Sequence, residues 1–552
     1  MTIGRIHKIG QLLVCLVAAG IYGGALAAAR PNVLIIVADD MGYSDWGGFG
    51  GEIRTPNLDA LADQGRRFTQ FYTAATCSPT RAMLLTGIDH HLVGLSTMEE
   101  LLQPNQRGVP GYEGYLNRRA VTLPELLHDG GYTTLVSGKW HLGMGLEQDP
   151  SRFGFDRSFV MLRGAASHFG DQAPYAIDYA PIYRENGHPV QIPASFYSSD
   201  AYASKLIEWI EAKQDDTPLF AYLAFTAPHD PLHVPDEWLD KYAGRYDGGY
   251  DKLREQRLAR ARELGVVAQS VRASPRPPHV PAWDDLSQDE QRASARSMEI
   301  YAAMVENLDA NVGRVLAAFK RKGIYDNTLI IFFSDNGANG ITLQQNPLSA
   351  PGWVARNSDN RLQNLGKKGS RPSTGPGWAV ASSSPFRLFK VFISEGGIRS
   401  PLIVAGPGVG KASPPDDAVL TVRDLMPTVL ESAGLVAPDT YQKRAVLEVE
   451  GRSMWPLLKG EAPLVHPADE SIGFELFGMR ALRRGDWKIT WISEPFAPPR
   501  WQLFNIADDP AETRDLAVEQ PERLDALRRE WDRYAAQVGV VLPDNSFFKG
   551  RK

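Results

Sequence analysis

"PNVLIIVADDMG", residues 31–42, holds an unbroken apolar run, rich in β-branched residues, that stops on two adjacent carboxylates. A strand with one wet face alternates apolar and polar residues. A continuous run therefore marks a strand covered on both faces. Runs of the same kind recur in "YTTLVSGKWH" (132–141), "PLFAYLAFTAPHD" (218–230), "NTLIIFFSDNG" (327–337) and "SPLIVAGPG" (400–408). Helical patterns lie between them. In "MEIYAAMVENLDANVGRVLAAF" (298–319), Tyr301, Met304, Val305, Leu308, Val312, Val315 and Leu316 form one apolar stripe. Strands alternating with helices predict an α/β fold, a large, mostly parallel sheet sandwiched by helices.

The alternation stops near residue 440. "FGMRALRRGDWKITWI" (477–492) and "RWQLFNI" (500–506) read as antiparallel strands, and "PERLDALRREWDRYAAQV" (521–538) as a closing amphipathic helix. The expected organisation is a signal peptide at 1–27, a catalytic domain at 28–435 and a smaller α+β domain at 436–552. Two stretches interrupt the main pattern. Residues 272–285 are proline-dense and read as a surface excursion, while the Gly/Pro/Asn-rich stretch 339–378 is long enough to be a lid or site-forming loop.

At the amino end, Arg5, His7 and Lys8 precede "LLVCLVAAGIYGGALAAA" (12–29). The run is near the lower length limit for a membrane span, but its glycines and Ala25-Leu26-Ala27 favour a cleaved export signal over an anchor. Cys15 would leave with it, so Cys77 is the one thiol of the expected mature chain and disulfides within it are excluded. An exported chain without paired cysteines suits a bacterial periplasm. A formal charge of −6 excludes a dominant basic surface and with it a dedicated nucleic-acid binder.

The polar residues that carry chemistry stand at strand exits, where open α/β sheets bind ligands. Asp39 and Asp40 follow one buried run, and Asp335 and Asn336 follow another. Adjacent carboxylates at a buried exit repel one another unless a cation sits between them. Three carboxylates and an amide make an all-oxygen donor set for a hard divalent ion such as Ca²⁺ or Mg²⁺. Lys139 and His141 follow a third strand, His229 a fourth, and Lys390 precedes "ISEGGIRSPLIV". With Arg81, these would surround the metal with fixed positive charges and two imidazoles, which suits a tetrahedral anion or its ester. Cys77 begins a short helix in which Pro79 fits the first turn and Gly87 the stop. A thiol there could be a nucleophile or simply a core residue, and the residues alone leave that open.

Cys77-Ser78-Pro79-Thr80-Arg81 followed by "AMLLTG" resembles the signature of type I sulfatases, with Thr80 where serine is commoner. The resemblance covers nearly the whole mature chain. "NVLIIVADDMGYSDWGGFGGEIRTPNLDALADQG", "SGKWHLG", "APHDPL", "FFSDNG" and "FKVFISEGGIRSPLIV" look like the family's other blocks, in order. The likeness is greatest to bacterial arylsulfatases of the alkaline phosphatase superfamily. It implies that Cys77 is oxidised to formylglycine by a maturation system and that Asp39, Asp40, Asp335, Asn336 and the modified Cys77 hold calcium. It further implies that Arg81, Lys139, His141, His229 and Lys390 bind the anion and move protons, with Lys139, His229 and Lys390 on the substrate. The implied activity is hydrolysis of aryl or alkyl sulfate esters, small molecules, by an enzyme without a stable membrane anchor. A phosphomonoester or phosphonate hydrolase of the same superfamily is the alternative, and a non-catalytic binder of sulfated ligands a more distant one. Selectivity is expected from 339–378, from 159–195 and from the C-terminal part, with Trp353, Trp378, Phe169 and Tyr175 as aryl-pocket or packing candidates.

Overall fold

A computed structural model describes residues 30–548 apart from 171, 177 and 178. The expected export signal lies outside the described residues. The first apolar run forms β1 (Asn32–Ala38), which pairs in parallel with β7 (Leu219–Ala224) on one side and β8 (Thr328–Ser334) on the other. Every residue of β1 is buried. Leu34, Ile36 and Ala38 enter one hydrophobic cluster, and Val33, Ile35 and Val37 enter another on the opposite face. A period of two thus divides one apolar run between two cores. Each fully buried Val, Leu or Ile contributes roughly 1.5–3 kcal/mol by leaving water.

The remaining strands are β2 (Arg66–Tyr72), β3 (Thr133–Lys139), β4 (Arg157–Met161), β5 (Tyr183–Glu185), β6 (His188–Pro189), β9 (Arg399–Ala405) and β10 (Asp416–Thr421). They complete a ten-stranded sheet in the order β10-β2-β9-β8-β1-β7-β3-β4-β5-β6. The helix Gln288–Arg321 covers the first face with Met298, Tyr301, Met304, Val305, Leu308, Val312 and Val315. Its start is set by Ser287, whose hydroxyl accepts from the Glu290 N–H in a capping box. The opposite face is covered in part by the helices Cys77–Thr86 and Leu425–Ser432.

The centre of the sheet is parallel, as expected, but β9 runs antiparallel to both β8 and β2. That reversal positions the site. The carboxyl ends of β1, β3, β7 and β8 share one edge, and a strand running the other way enters at that edge. The residues just before β9, Lys390 among them, therefore arrive beside the residues that follow β1 and β8. The end of β2, running with β8, delivers the chain into Cys77 at the same edge.

A four-stranded antiparallel sheet follows, Ser471–Leu476, Met479–Arg484, Trp487–Trp491 and Gln502–Asn505, against which the helix Pro521–Val538 packs. It shares an apolar cluster with the large sheet through Tyr72, Ala75, Phe389, Phe392, Leu476 and Met479. Buried ion pairs cross the same junction. Lys488 reaches Glu395 at 2.7 Å and Glu512 at 2.9 Å, and His91 bridges Asp89 at 2.8 Å and Glu475 at 3.0 Å. Among the described residues no helix is long and apolar enough to cross a membrane.

Candidate active site

Cys77 is the first residue of the helix Cys77–Thr86, after Thr76 in extended conformation. Gly87 ends the helix in the left-handed region, φ 66°, with its N–H on the Met83 carbonyl. Four residues after Cys77, Arg81 lies one turn along the same face. Its Nε and Nη2 donate to Asp335 Oδ2 at 3.1 and 2.7 Å, and its Nη1 to the Lys139 carbonyl at 3.1 Å. Arg81 thereby ties the Cys77 helix to the ends of β8 and β3.

The carboxylates draw cations individually. Lys139 Nζ donates to Asp39 Oδ2 at 2.7 Å, and Lys390 Nζ to Asp40 Oδ1 at 2.6 Å. The Asn336 amide also donates to Asp40 Oδ1, at 2.7 Å. Asp40 sits at φ 68° and His141 at φ 56°, a left-handed conformation that costs about 1–3 kcal/mol at a non-glycine residue and is kept where function requires it. These contacts leave a consistent remainder. Asp39 Oδ1, Asp40 Oδ2 and Asn336 Oδ1 are buried and accept no hydrogen bond, although His229 Nε2 stands 3.5 Å from Asp40 Oδ2. Ligand atoms of Asp39, Cys77 and Asp335 lie within 4.8 Å of one another. Orphaned buried oxygens cost about 1–3 kcal/mol or more each. A hard cation satisfies oxygen donors of this kind, so the residues present fit a divalent metal.

Around this core, the Cys77 thiol lies 3.4 Å from His141 Nδ1. Burial pushes the thiol up, but Lys139, Lys390 and His141 outweigh it and hold it at about 7. Burial likewise opposes the charged form of both histidines. Cys77 and Glu100 nevertheless raise His141 to about 9, and Asp40 raises His229 to about 9 against the repulsion of Lys390. The ten residues expected at the site, Asp39, Asp40, Cys77, Arg81, Lys139, His141, His229, Asp335, Asn336 and Lys390, all come together at this edge.

Residues 31–435 match the family model described as Sulfatase. The chain belongs to the sulfatase family. It is 42% identical over 530 residues to an uncharacterized sulfatase of Schizosaccharomyces pombe, a match covering 94% of this chain and 96% of that one. It is 40% identical over 443 residues to an arylsulfatase of Klebsiella aerogenes, covering 78% of this chain and 93% of the relative. Among solved structures it resembles Ps i-CgsB, with a TM-score of 0.65 and 25% identity over 92% of this chain and 93% of that one. The chain is accordingly a sulfuric ester hydrolase.

In this sulfatase the cleft over Cys77 is lined by Asn339, Ile341, Asn346, Pro347 and Leu348 from the 339–378 stretch and by Gly164, Tyr175 and Tyr179 from 159–195. Phe547 contributes from the C-terminal part. Of the four aromatic candidates only Tyr175 lines this cleft. Trp378 packs among Tyr246, Tyr250 and Trp283, Phe169 packs on Tyr197 and His233, and the Arg371 guanidinium lies over Trp353. Those three are packing residues.

Sequence reasoning missed Glu100. Its Oε1 faces His141 Nε2 at 3.2 Å and accepts from the Tyr179 hydroxyl at 3.1 Å. His141, the residue's own backbone N–H and Tyr179 outweigh burial and hold its carboxyl down at about 2. His168 was also missed. Its Nε2 meets the His229 carbonyl at 2.8 Å and its Nδ1 the Ser198 hydroxyl at 2.7 Å, bracing the His229 turn. Neither residue follows a recognisable strand run, so only the folded arrangement reveals them.

Proposed function

We propose that this sulfatase is exported, carries formylglycine at position 77 and hydrolyses aryl or alkyl sulfate esters to the alcohol or phenol and inorganic sulfate. The observation that carries this reading is the convergence of three orphaned oxygens, from Asp39, Asp40 and Asn336, beside Cys77 in a ring of Lys139, His141, His229 and Lys390. Asp39, Asp40, Asp335 and Asn336, with the modified Cys77, would hold the cation, calcium before magnesium. Bound there, a divalent ion supplies positive charge that lowers the pKa of an adjacent hydroxyl and stabilises the developing anion. A hydrated aldehyde at position 77 offers one hydroxyl for in-line attack on sulfur and a second whose deprotonation expels sulfate without water attacking sulfur.

The chain's own residues divide the remaining work. Glu100 accepts the His141 Nε2 proton and fixes the ring with Nδ1 facing position 77. The thiol that contributes most to raising His141 is lost when Cys77 is converted, which frees Nδ1 to act as the base. His229 donates Nδ1–H to the Asp230 carbonyl at 2.6 Å, so its Nε2 proton points at the carboxylate edge. Carrying its proton on Nε2 at that edge, His229 can hand it to the leaving oxygen. Lys390 and Lys139 remain charged and bind the non-bridging oxygens of the sulfuryl group. Arg81 fixes the helix that carries position 77.

Two measurements test this assignment. Replacing Glu100 by glutamine should lower kcat about tenfold or more while moving KM little, because it disturbs the base and not the anion site. An equal loss through KM alone would show that Glu100 does not orient His141. The ratio of kcat/KM for p-nitrophenyl sulfate to that for p-nitrophenyl phosphate should exceed roughly 100. A preference for the phosphate would make the enzyme a phosphomonoester hydrolase on the same scaffold.

A further inference from the structure

Next to the cleft over Cys77 lies a second cavity, of about 250 Å³, with which it shares Ile341 and Phe547 as lining residues. Its walls come from five stretches of the chain, at residues 279, 340–345, 376–392, 495–496 and 547–548. Phe389 immediately precedes the active-site Lys390, Phe496 follows the third strand of the C-terminal sheet, and Phe548 belongs to the C-terminal tail. His279 comes from the proline-dense excursion, which is therefore more than a surface decoration. The rings brace one another. Phe392 stacks on Phe548 with centroids 5.3 Å apart, Phe496 lies 4.4 Å from Phe548, and His279 meets Phe496 edge-on at 4.6 Å.

We propose that this cavity is the leaving-group subsite and that its occupant is a fused-ring aryl group, reaching past Ile341 and Phe547 while the sulfuryl group sits at position 77. The inference rests on the sulfatase reading above and names the substrate class within it. Three observations support it. The cavity abuts the cleft over the reacting centre, with only the Ile341 and Phe547 side chains common to both, so an ester that passes between those two side chains spans both. Its size exceeds that of one ring, since an engineered apolar cavity of about 150 Å³ already takes up benzene. Its lining is mostly apolar and includes five phenylalanines, with His279 and Gln345 the only polar side chains on its wall among the described residues. A sugar carries hydroxyls around its whole ring and would leave most of them without partners there. An aromatic group finds edge and face contacts there instead.

The test compares 1-naphthyl sulfate, ethyl sulfate, decyl sulfate and N-acetylgalactosamine 6-sulfate on the wild type and on Phe548→Ala and Phe496→Ala, alongside fluorescence titration of each protein with 1-naphthol. The wild type should favour 1-naphthyl sulfate in kcat/KM. The ratio of its kcat/KM to that for ethyl sulfate should fall about tenfold in each variant. 1-Naphthol should bind saturably to the wild type and more weakly to both variants. Retained ethyl sulfate turnover shows that a variant is folded. An unchanged ratio in both variants, or a better kcat/KM for decyl sulfate or the sugar ester, overturns the subsite. If 1-naphthol binds as expected and no ester turns over, the sulfatase reading fails and takes the subsite's role with it.

Discussion

Replacing Cys77 by alanine removes turnover of every sulfate ester, by about 10,000-fold or more, while the protein stays folded. The side chain is small and buried, and its loss leaves the pairs Lys139–Asp39, Lys390–Asp40 and Arg81–Asp335 in place. Cys77→Ser separates the nucleophile from the rest of the machinery. A serine hydroxyl can attack sulfur once, forming a bond to it while the leaving oxygen departs with a proton from His229 or Lys390. It has no second hydroxyl on the same carbon, so the sulfate cannot be expelled. The expected product is one sulfated serine per chain after a single turnover, seen by mass spectrometry of the intact protein. Steady-state turnover by a serine variant shown by mass to be unmodified would contradict this reading.

Removing the divalent cation is expected to have the other large effect. Exhaustive chelation should lower kcat by about 1,000-fold, and calcium should restore it more fully than magnesium. The fold should survive, because each carboxylate already has a fixed cation within 2.7 Å. Refilling the site should also raise the melting temperature. At a free ion concentration 100 times Kd the gain is about 2.7 kcal/mol. Full activity in protein shown to be metal-free by elemental analysis would remove the cation from the account.

Much of this arrangement is legible in the sequence because burial and chemistry coincide at strand exits. The run Val33–Ala38 has no polar residue until Asp39, and Leu329–Phe333 reaches Ser334 and Asp335 in the same way. Three carboxylates and an amide after two fully buried strands point to bound positive charge. The direction of β9 was not legible, since a buried strand reads alike whether its neighbours run with it or against it. β2 was missed because Arg66, Arg67 and Gln70 break its apolar run, leaving only Phe68, Phe71 and Tyr72 as large apolar anchors. Glu100 escaped because it lies in a short turn with no periodicity and acquires its role only where His141 meets it across the cleft. Trp378 misled in the opposite way, because a large aromatic near a site reads the same whether it meets substrate or packs on Tyr246 and Tyr250.

Peptide mass spectrometry of fully active enzyme tests the central claim most directly, on the tryptic fragment Phe68–Arg81 that contains position 77. The account predicts the mass of formylglycine at that position, in a fraction of chains that rises in proportion to specific activity. An unmodified cysteine throughout a fully active preparation would contradict it.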